Sequence, residues 1–362
     1  MKLWKRASGA LKDRTSLLRA NLTSRSMLRN PSIETAVIKA TSHDESIVNY
    51  RATQHVFTWV RISDECLYRV LWVLFRRMKR THNWAVVLKG LMLLHGVFSC
   101  KVPGIQHIGQ LPSDLLNLKE KRGNVNVFIH AYYAFLDQKS TFISLHSQEQ
   151  MKRSVAFSGD ETNEEQKRML MIQDLIWLQK LQGLLDSLLR IQPKSSQTVN
   201  VLVLEAMDCL MIEIYDIYSR ISIGIGTLLM KIYPVGKNEA VIALPILQKA
   251  KVQGEEISMF FEFCRDIGVG NTSECPKMEQ IPEEVVQELK DIISGDLKQP
   301  SIENFPKEEV KSVIVVTNNS ISSLKTVITD DWEVFEEQKK SNPALISPPV
   351  KNNTTLPDLI SL

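Results

Sequence analysis

Lys39 opens the run Lys39-Ala-Thr-Ser-His43, and Arg51 and His55 follow across the turn-like segment Asp44 to Asn49. Basic side chains gathered where one helix ends and the next begins can surround a multiply charged phosphate, combining side-chain charge with free backbone N–H groups. Solvated charges at helix ends are the blander reading, and spacing alone favours it. Leu3, Ala7 and Leu11 recur at i, i+4 and i+8 with Trp4 beside them, while Lys2, Lys5, Arg6 and Lys12 occupy the other arc and Arg14 follows. A basic amphipathic helix with an aromatic border suits a headgroup boundary, which makes Lys12 and Arg14 candidate lipid contacts. A capping helix that packs Leu3 and Trp4 on a domain is the alternative. The densest basic cluster, Arg76, Arg77, Lys79 and Arg80, is open to two readings: an anion-binding patch or a solvated face near a helix end.

Catalytic chemistry is not expected. The chain contains no GxxxxGK[ST], GxSxG, HExxH or GxGxxG run, and Gly224 and Gly226 fall inside a helical stretch with no strand before it. His82, His95, His107 and His130 have no carboxylates at a recurrent ligand spacing and are read as structural; no catalytic residue, metal or cofactor is assigned. Five scattered cysteines without a CxxC pair argue against a disulfide framework and a zinc site, and fit a reducing, cytoplasmic setting. A recognition helix, a Cys/His finger and an aromatic RNA platform are all missing, so nucleic acid is not an expected partner.

The elements that must position these residues are helical. Asp64 to Arg80 sets Leu67, Val70, Leu71, Leu74 and Met78 on one face, and helices are predicted over Trp84–Phe98, Val125–Leu136, Gln173–Ile191, Val199–Ile232 and Ala240–Phe263. Pro31, Pro103-Gly104, Pro112-Ser113-Asp114, Gly123-Asn124, Ser158-Gly159-Asp160, Pro193 and Pro234 punctuate them. The expected fold class is all-α, a superhelical stack of about eight to ten helices joined by short turns. The apolar stretches His82–Phe98 and Cys209–Tyr233 are interrupted by charge, so membrane contact is expected from outside. The charged first residues lack the apolar core of a secretory signal.

Charge is unevenly distributed. Residues 1–110 hold 18 basic and 6 acidic residues, whereas residues 272–362 hold 9 basic and 16 acidic ones. Opposite partners are therefore expected at the two ends, an anionic surface for the first. Beyond Pro276 the composition predicts a mostly disordered acidic tail, in which Val313–Val316 could form an edge strand. Two islands in it read as linear motifs. Trp332 and Phe335 stand three apart in an acidic run, and the chain closes on Asp358-Leu359-Ile360-Ser361-Leu362.

Several runs together resemble the plant clathrin assembly proteins with an ANTH domain: Lys39-Ala-Thr-Ser-His43, Thr81-His-Asn-Trp84 continuing to Lys89 with His95 beyond, Asp114 to Leu118, Phe128 to Asp137 and Leu178 to Pro193. The resemblance implies an ANTH-type α-solenoid over about residues 1–280, with an ENTH-like core over about 25–150 and a tail over 281–362. It implies an endocytic adaptor, peripheral on clathrin-coated pits of the plasma membrane, on coated vesicles and on the Golgi apparatus. Phosphatidylinositol 4,5-bisphosphate, clathrin heavy chain, an adaptor appendage and a vesicle R-SNARE are the implied partners; a helical scaffold for protein cargo without lipid recognition is the alternative. The family's phosphoinositide pattern is matched by Lys39 and Arg51 but meets Asn49 and Ala52 at its other two positions, with His55 three residues further on. Trp332 and Phe335 look like an adaptor-appendage WxxF motif. Asp358, Leu359 and Ile360 are similar to a DLL-type clathrin peptide, and Leu359 to Leu362 resembles a clathrin box lacking its closing acid.

Overall fold

The computed structural model describes residues 2–22, 30–118, 123–156, 164–195, 198–232, 237–270 and 283–294. Among them are ten α-helices, α1 (Lys2–Leu22), α2 (Pro31–Ala40), α3 (Tyr50–Ile62), α4 (Asp64–Arg80), α5 (Trp84–Ser99), α6 (Gly123–Ala156), α7 (Glu164–Leu189), α8 (Val201–Ile232), α9 (Lys237–Asp266) and α10 (Glu283–Ser294). A short 3-10 helix spans Pro103–His107, and no strand occurs among the described residues. Each helix packs on its successor, the order of the all-α solenoid expected from the sequence. Among the described residues, no helix is long and apolar enough to cross a membrane.

Local chemistry sets the helix starts. Asn30 accepts hydrogen bonds from the backbone N–H groups of Ser32 and Ile33, with Pro31 at the first helical position, where its missing N–H costs nothing. Asn49 caps α3 through the Ala52 N–H, Ser63 caps α4 through Cys66, and Asn83 caps α5 through Ala85 and Val86. α4 carries Asp64 and Glu65 in its first turn and Arg77, Lys79 and Arg80 in its last, the polarity that complements the helix dipole. The face read from its sequence, Leu67, Val70, Leu71, Leu74 and Met78, is the buried one.

α5 is the central element. It is buried nearly all round, as a helix without a polar face must be, and packs on α2, α3, α4, α6 and α8. Gly96 sets the approach of α3 to α5, because a Cβ there would come within 2.2 Å of the Phe57 ring.

Several predicted elements change extent. α6 runs 20 residues past Leu136, because it meets α5, the 3-10 helix and α7 on different sides and so shows no single apolar stripe. α7 begins at Glu164, nine residues before the Gln173 start expected from the sequence. α10 lies beyond Pro276, where the composition suggested tail, and buries Val286 and Leu289 against the stack beside α9. Val313–Val316 lies outside the described residues.

Candidate functional site

Two of the runs that carry the family resemblance, Lys39 to His43 with the turn after it and Thr81 to Lys89, meet in space. The turn after α2 is fixed from α5: Lys89 donates from Nζ to Asp44 O at 2.6 Å and to Ser42 Oγ at 3.1 Å, and Trp84 Nε1 donates to Glu45 Oε1 at 3.1 Å. Burial pushes the Lys89 ammonium down to about 8, so it remains mostly charged at neutral pH. Asp44 accepts from the Ser46 N–H and hydroxyl; these bonds, with Lys89 and Arg6 nearby, hold its carboxyl below the usual range.

α1 docks on this turn through a single acid. Asp13 Oδ2 accepts from the His43 backbone N–H at 2.8 Å, while Oδ1 lies 2.7 Å from His43 Nδ1 and 2.8 Å from Arg77 Nη2. Burial acts to raise the Asp13 pKa, but the His43 and Arg77 hydrogen bonds outweigh it and the net direction is downward. Arg77 also donates from Nε to Thr41 Oγ1 and from Nη2 to Thr41 O, each at 2.8 Å. Gly9 permits the contact, since a Cβ there would lie 2.8 Å from His43 Cβ. The buried face of α1 thus carries Gly9, half-buried Asp13 and buried Ala20, whereas Leu11 and Leu18 are 67% and 62% exposed. Ala7 is exposed as well, so the arc of Ala7 and Leu11 does not pack on the domain.

The proposed lipid contacts lie on the helices that meet at this turn. Lys39 lies in the last turn of α2, Arg51 and His55 stand one turn apart near the start of α3, and Lys12 and Arg14 flank Asp13 on α1. All five are exposed, and none has a side-chain ion pair or hydrogen bond among the described residues. The two positions where the basic pattern fails have structural occupations. Asn49 caps α3, and Ala52 is buried in the core. His55 lies one turn further along α3, exposed beside Arg51. Trp332, Phe335, Asp358, Leu359, Ile360 and Leu362 lie outside the described residues.

The dense basic cluster of α4 divides among separate roles, which corrects its reading as one face. Arg76 stacks over the Trp72 ring with 4.9 Å between the guanidinium carbon and the centroid, Arg77 turns inward to Asp13, and Lys79 pairs with Asp114. Arg80 is exposed.

A second polar centre is buried. Glu213 Oε2 on α8 accepts from Lys139 Nζ on α6 at 2.6 Å and from His95 Nε2 on α5 at 3.1 Å, and His95 Nδ1 lies 2.8 Å from the Tyr132 hydroxyl. Donation to Glu213 places the ring proton on Nε2, leaving Nδ1 to accept from Tyr132. Burial disfavours the charged form of Glu213, yet Lys139 and His95 hold its pKa well below the ordinary carboxylate range. Burial, reinforced by Lys139, lowers the pKa of His95. Every donor and acceptor here is internal, so the cluster is an interhelical clamp. His82, likewise read as structural, bonds the Asn117 carbonyl at 2.7 Å. Lys139 and Glu213 were missed because 74 residues separate them; a charge in each of two otherwise apolar helical faces was the available signal. Among the described residues no cluster of three His, Cys, Asp or Glu side chains could hold a metal ion.

Comparison with known proteins places these features in a family. A model of the ANTH domain matches residues 32–295. Two Arabidopsis thaliana proteins, each named a putative clathrin assembly protein, are 42% and 40% identical; each alignment covers 93% of this chain and 88% of the relative. The Arabidopsis clathrin coat assembly protein AP180 is 25% identical over 82% of this chain and 50% of its own length.

Proposed function

This chain belongs to the ANTH domain family, and on that premise we propose that it is an endocytic clathrin adaptor: the helical domain holds a phosphoinositide membrane and the tail recruits the coat. The observation that carries the membrane half is a set of exposed bases, Lys12, Arg14, Lys39 and Arg51 with His55, which stand on the helices that meet at the turn between α2 and α3 and have no side-chain ion pair or hydrogen bond among the described residues. A basic residue near an anionic leaflet contributes about 1 kcal/mol, so the four permanent charges supply about 4 kcal/mol without a deep pocket. Phosphatidylinositol 4,5-bisphosphate is the assigned headgroup. Clathrin assembly, the activity in the relatives' names, supports the coat half, assigned to Asp358, Leu359, Ile360 and Leu362 for clathrin heavy chain and to Trp332 and Phe335 for an adaptor appendage. Several weak contacts act together once the domain is membrane-bound, through effective concentration. The mechanism is bridging with no chemical step, and it places the protein peripherally at plasma-membrane coated pits, on coated vesicles and at the Golgi apparatus.

One observation favours a second reading. Asn49 is committed to capping and Ala52 to the core, so half of the family's basic pattern is spent on structure. A scaffold for protein cargo such as a vesicle R-SNARE would tolerate that loss. Co-sedimentation of the full chain with vesicles separates the two: binding that favours phosphatidylinositol 4,5-bisphosphate over phosphatidylserine at matched surface charge is expected, and binding indifferent to headgroup would support the scaffold.

A further inference from the structure

Asp13 is held as a bound anion is held. Its carboxylate takes a backbone N–H, an imidazole nitrogen and a guanidinium at 2.7–2.8 Å, and the side chains of Asp13, His43 and Arg77 are only 17%, 12% and 12% exposed. The donors owe their placement to the domain. Arg77 is fixed by Thr41, which is itself fully buried and donates to Val37 O at 2.6 Å, so the cradle has supports on α2 and α4 independent of α1. Among the described side chains of α1, half-buried Leu17 and buried Ala20 face in, while Leu11 and Leu18 face solvent.

We propose that the cradle formed by the His43 backbone N–H, the His43 ring and Arg77 is a phosphomonoester site, that Asp13 is its intramolecular stand-in, and that a phosphorylated inositol ring displaces Asp13 and frees α1. The proposal rests on the phosphoinositide reading above and adds to it the donors and a competitor. A phosphomonoester brings a charge of about −1.5 to −2 and three strong acceptor oxygens, against one charge and two oxygens for the carboxylate. Lys12, Arg14 and Lys39 are exposed close by in the chain to draw it in, and Lys89 behind the turn adds positive potential. Displacement leaves Leu11 and Leu18, with Lys12 and Arg14, on a helix free to lie at the bilayer surface. Headgroup recognition and membrane insertion are thereby coupled through one carboxylate.

The test uses the full chain in two arms, calorimetry with soluble inositol 1,4,5-trisphosphate and flotation on vesicles carrying phosphatidylinositol 4,5-bisphosphate or charge-matched phosphatidylserine. Asp13→Asn should bind the phosphorylated headgroup about tenfold more tightly, the scale of one charge-assisted hydrogen bond no longer competed for, without the same gain on phosphatidylserine. Amide exchange over residues 9–16 should speed up when trisphosphate is added to the wild type and be fast already in Asp13→Asn. Arg77→Gln should lose about tenfold or more, with partial rescue in Arg77→Lys; where Arg77→Gln fails to fold, the Asp13→Asn comparison decides alone. A gain confined to the soluble arm upholds the site with a free inositol phosphate as its ligand; a gain in both arms assigns the lipid. Unchanged affinity in Asp13→Asn, or an equal gain on phosphatidylserine, overturns the cradle while selective wild-type binding leaves the lipid reading standing. Absence of headgroup selectivity in the wild type overturns both.

Discussion

Glu213→Ala is expected to lower the stability of the folded chain by about 3–5 kcal/mol, measured as a shift in the urea unfolding midpoint. Its carboxylate is the acceptor that Lys139 and His95 share, and all three side chains are almost fully enclosed. Removing it strands the Lys139 ammonium in the interior and orphans a ring N–H, so the cost is that of two unsatisfied groups, and greater than the net value of the intact pair. Glu213→Gln keeps an acceptor and should fall between wild type and alanine. The same centre predicts an acid response. His95 has its pKa lowered in the fold, so the unfolded chain binds the extra proton first and stability should fall as pH drops below about 6.5. Glu213 also has its pKa lowered, so its contribution is complete above about 4.5 and is lost on further acidification. A stability flat from neutral pH down to 5 would contradict this assignment of charges.

Lys39→Glu/Arg51→Glu should weaken binding to phosphoinositide vesicles by about 30- to 1000-fold. Two favourable charges, each worth about 1 kcal/mol at an anionic leaflet, become two repulsive ones, for a loss of about 2–4 kcal/mol. The gap between variant and wild type should narrow as salt rises, because both positions are exposed and screened. Neither side chain has a partner among the described residues, so unfolding should shift by no more than about 0.5 kcal/mol. That insensitivity separates a binding loss from a folding loss.

Much of the scaffold could be read directly from residue order. The buried face of α4 follows from its 3.6-residue apolar spacing, and the starts of α2 to α5 follow from asparagine or serine ahead of an apolar run. Lys39 and Arg51 could be placed for the same reason, because they sit at helix ends that local signals define, whereas Lys12 and Arg14 lie midway along α1. Features that depend on distant partners were not legible. Asp13, an acid in a strongly basic segment, gives no local hint that His43 and Arg77 will enclose it, and Arg77 sits among three bases of different fate. Asn49 looks like a failed basic position until its cap to Ala52 is seen. The long α6 escaped because its apolar residues serve several neighbours in turn.

Bridging is tested most directly by pelleting purified clathrin with phosphatidylinositol 4,5-bisphosphate vesicles in the presence of the full chain, comparing wild type with a chain carrying Asp358→Ala and Leu359→Ala. Wild type is predicted to bring clathrin down with the vesicles, and the tail variant to remain on the vesicles while leaving most of the clathrin in solution. Clathrin that pellets equally with both chains, or with neither while both chains stay bound, would contradict the assignment of coat recruitment to this tail.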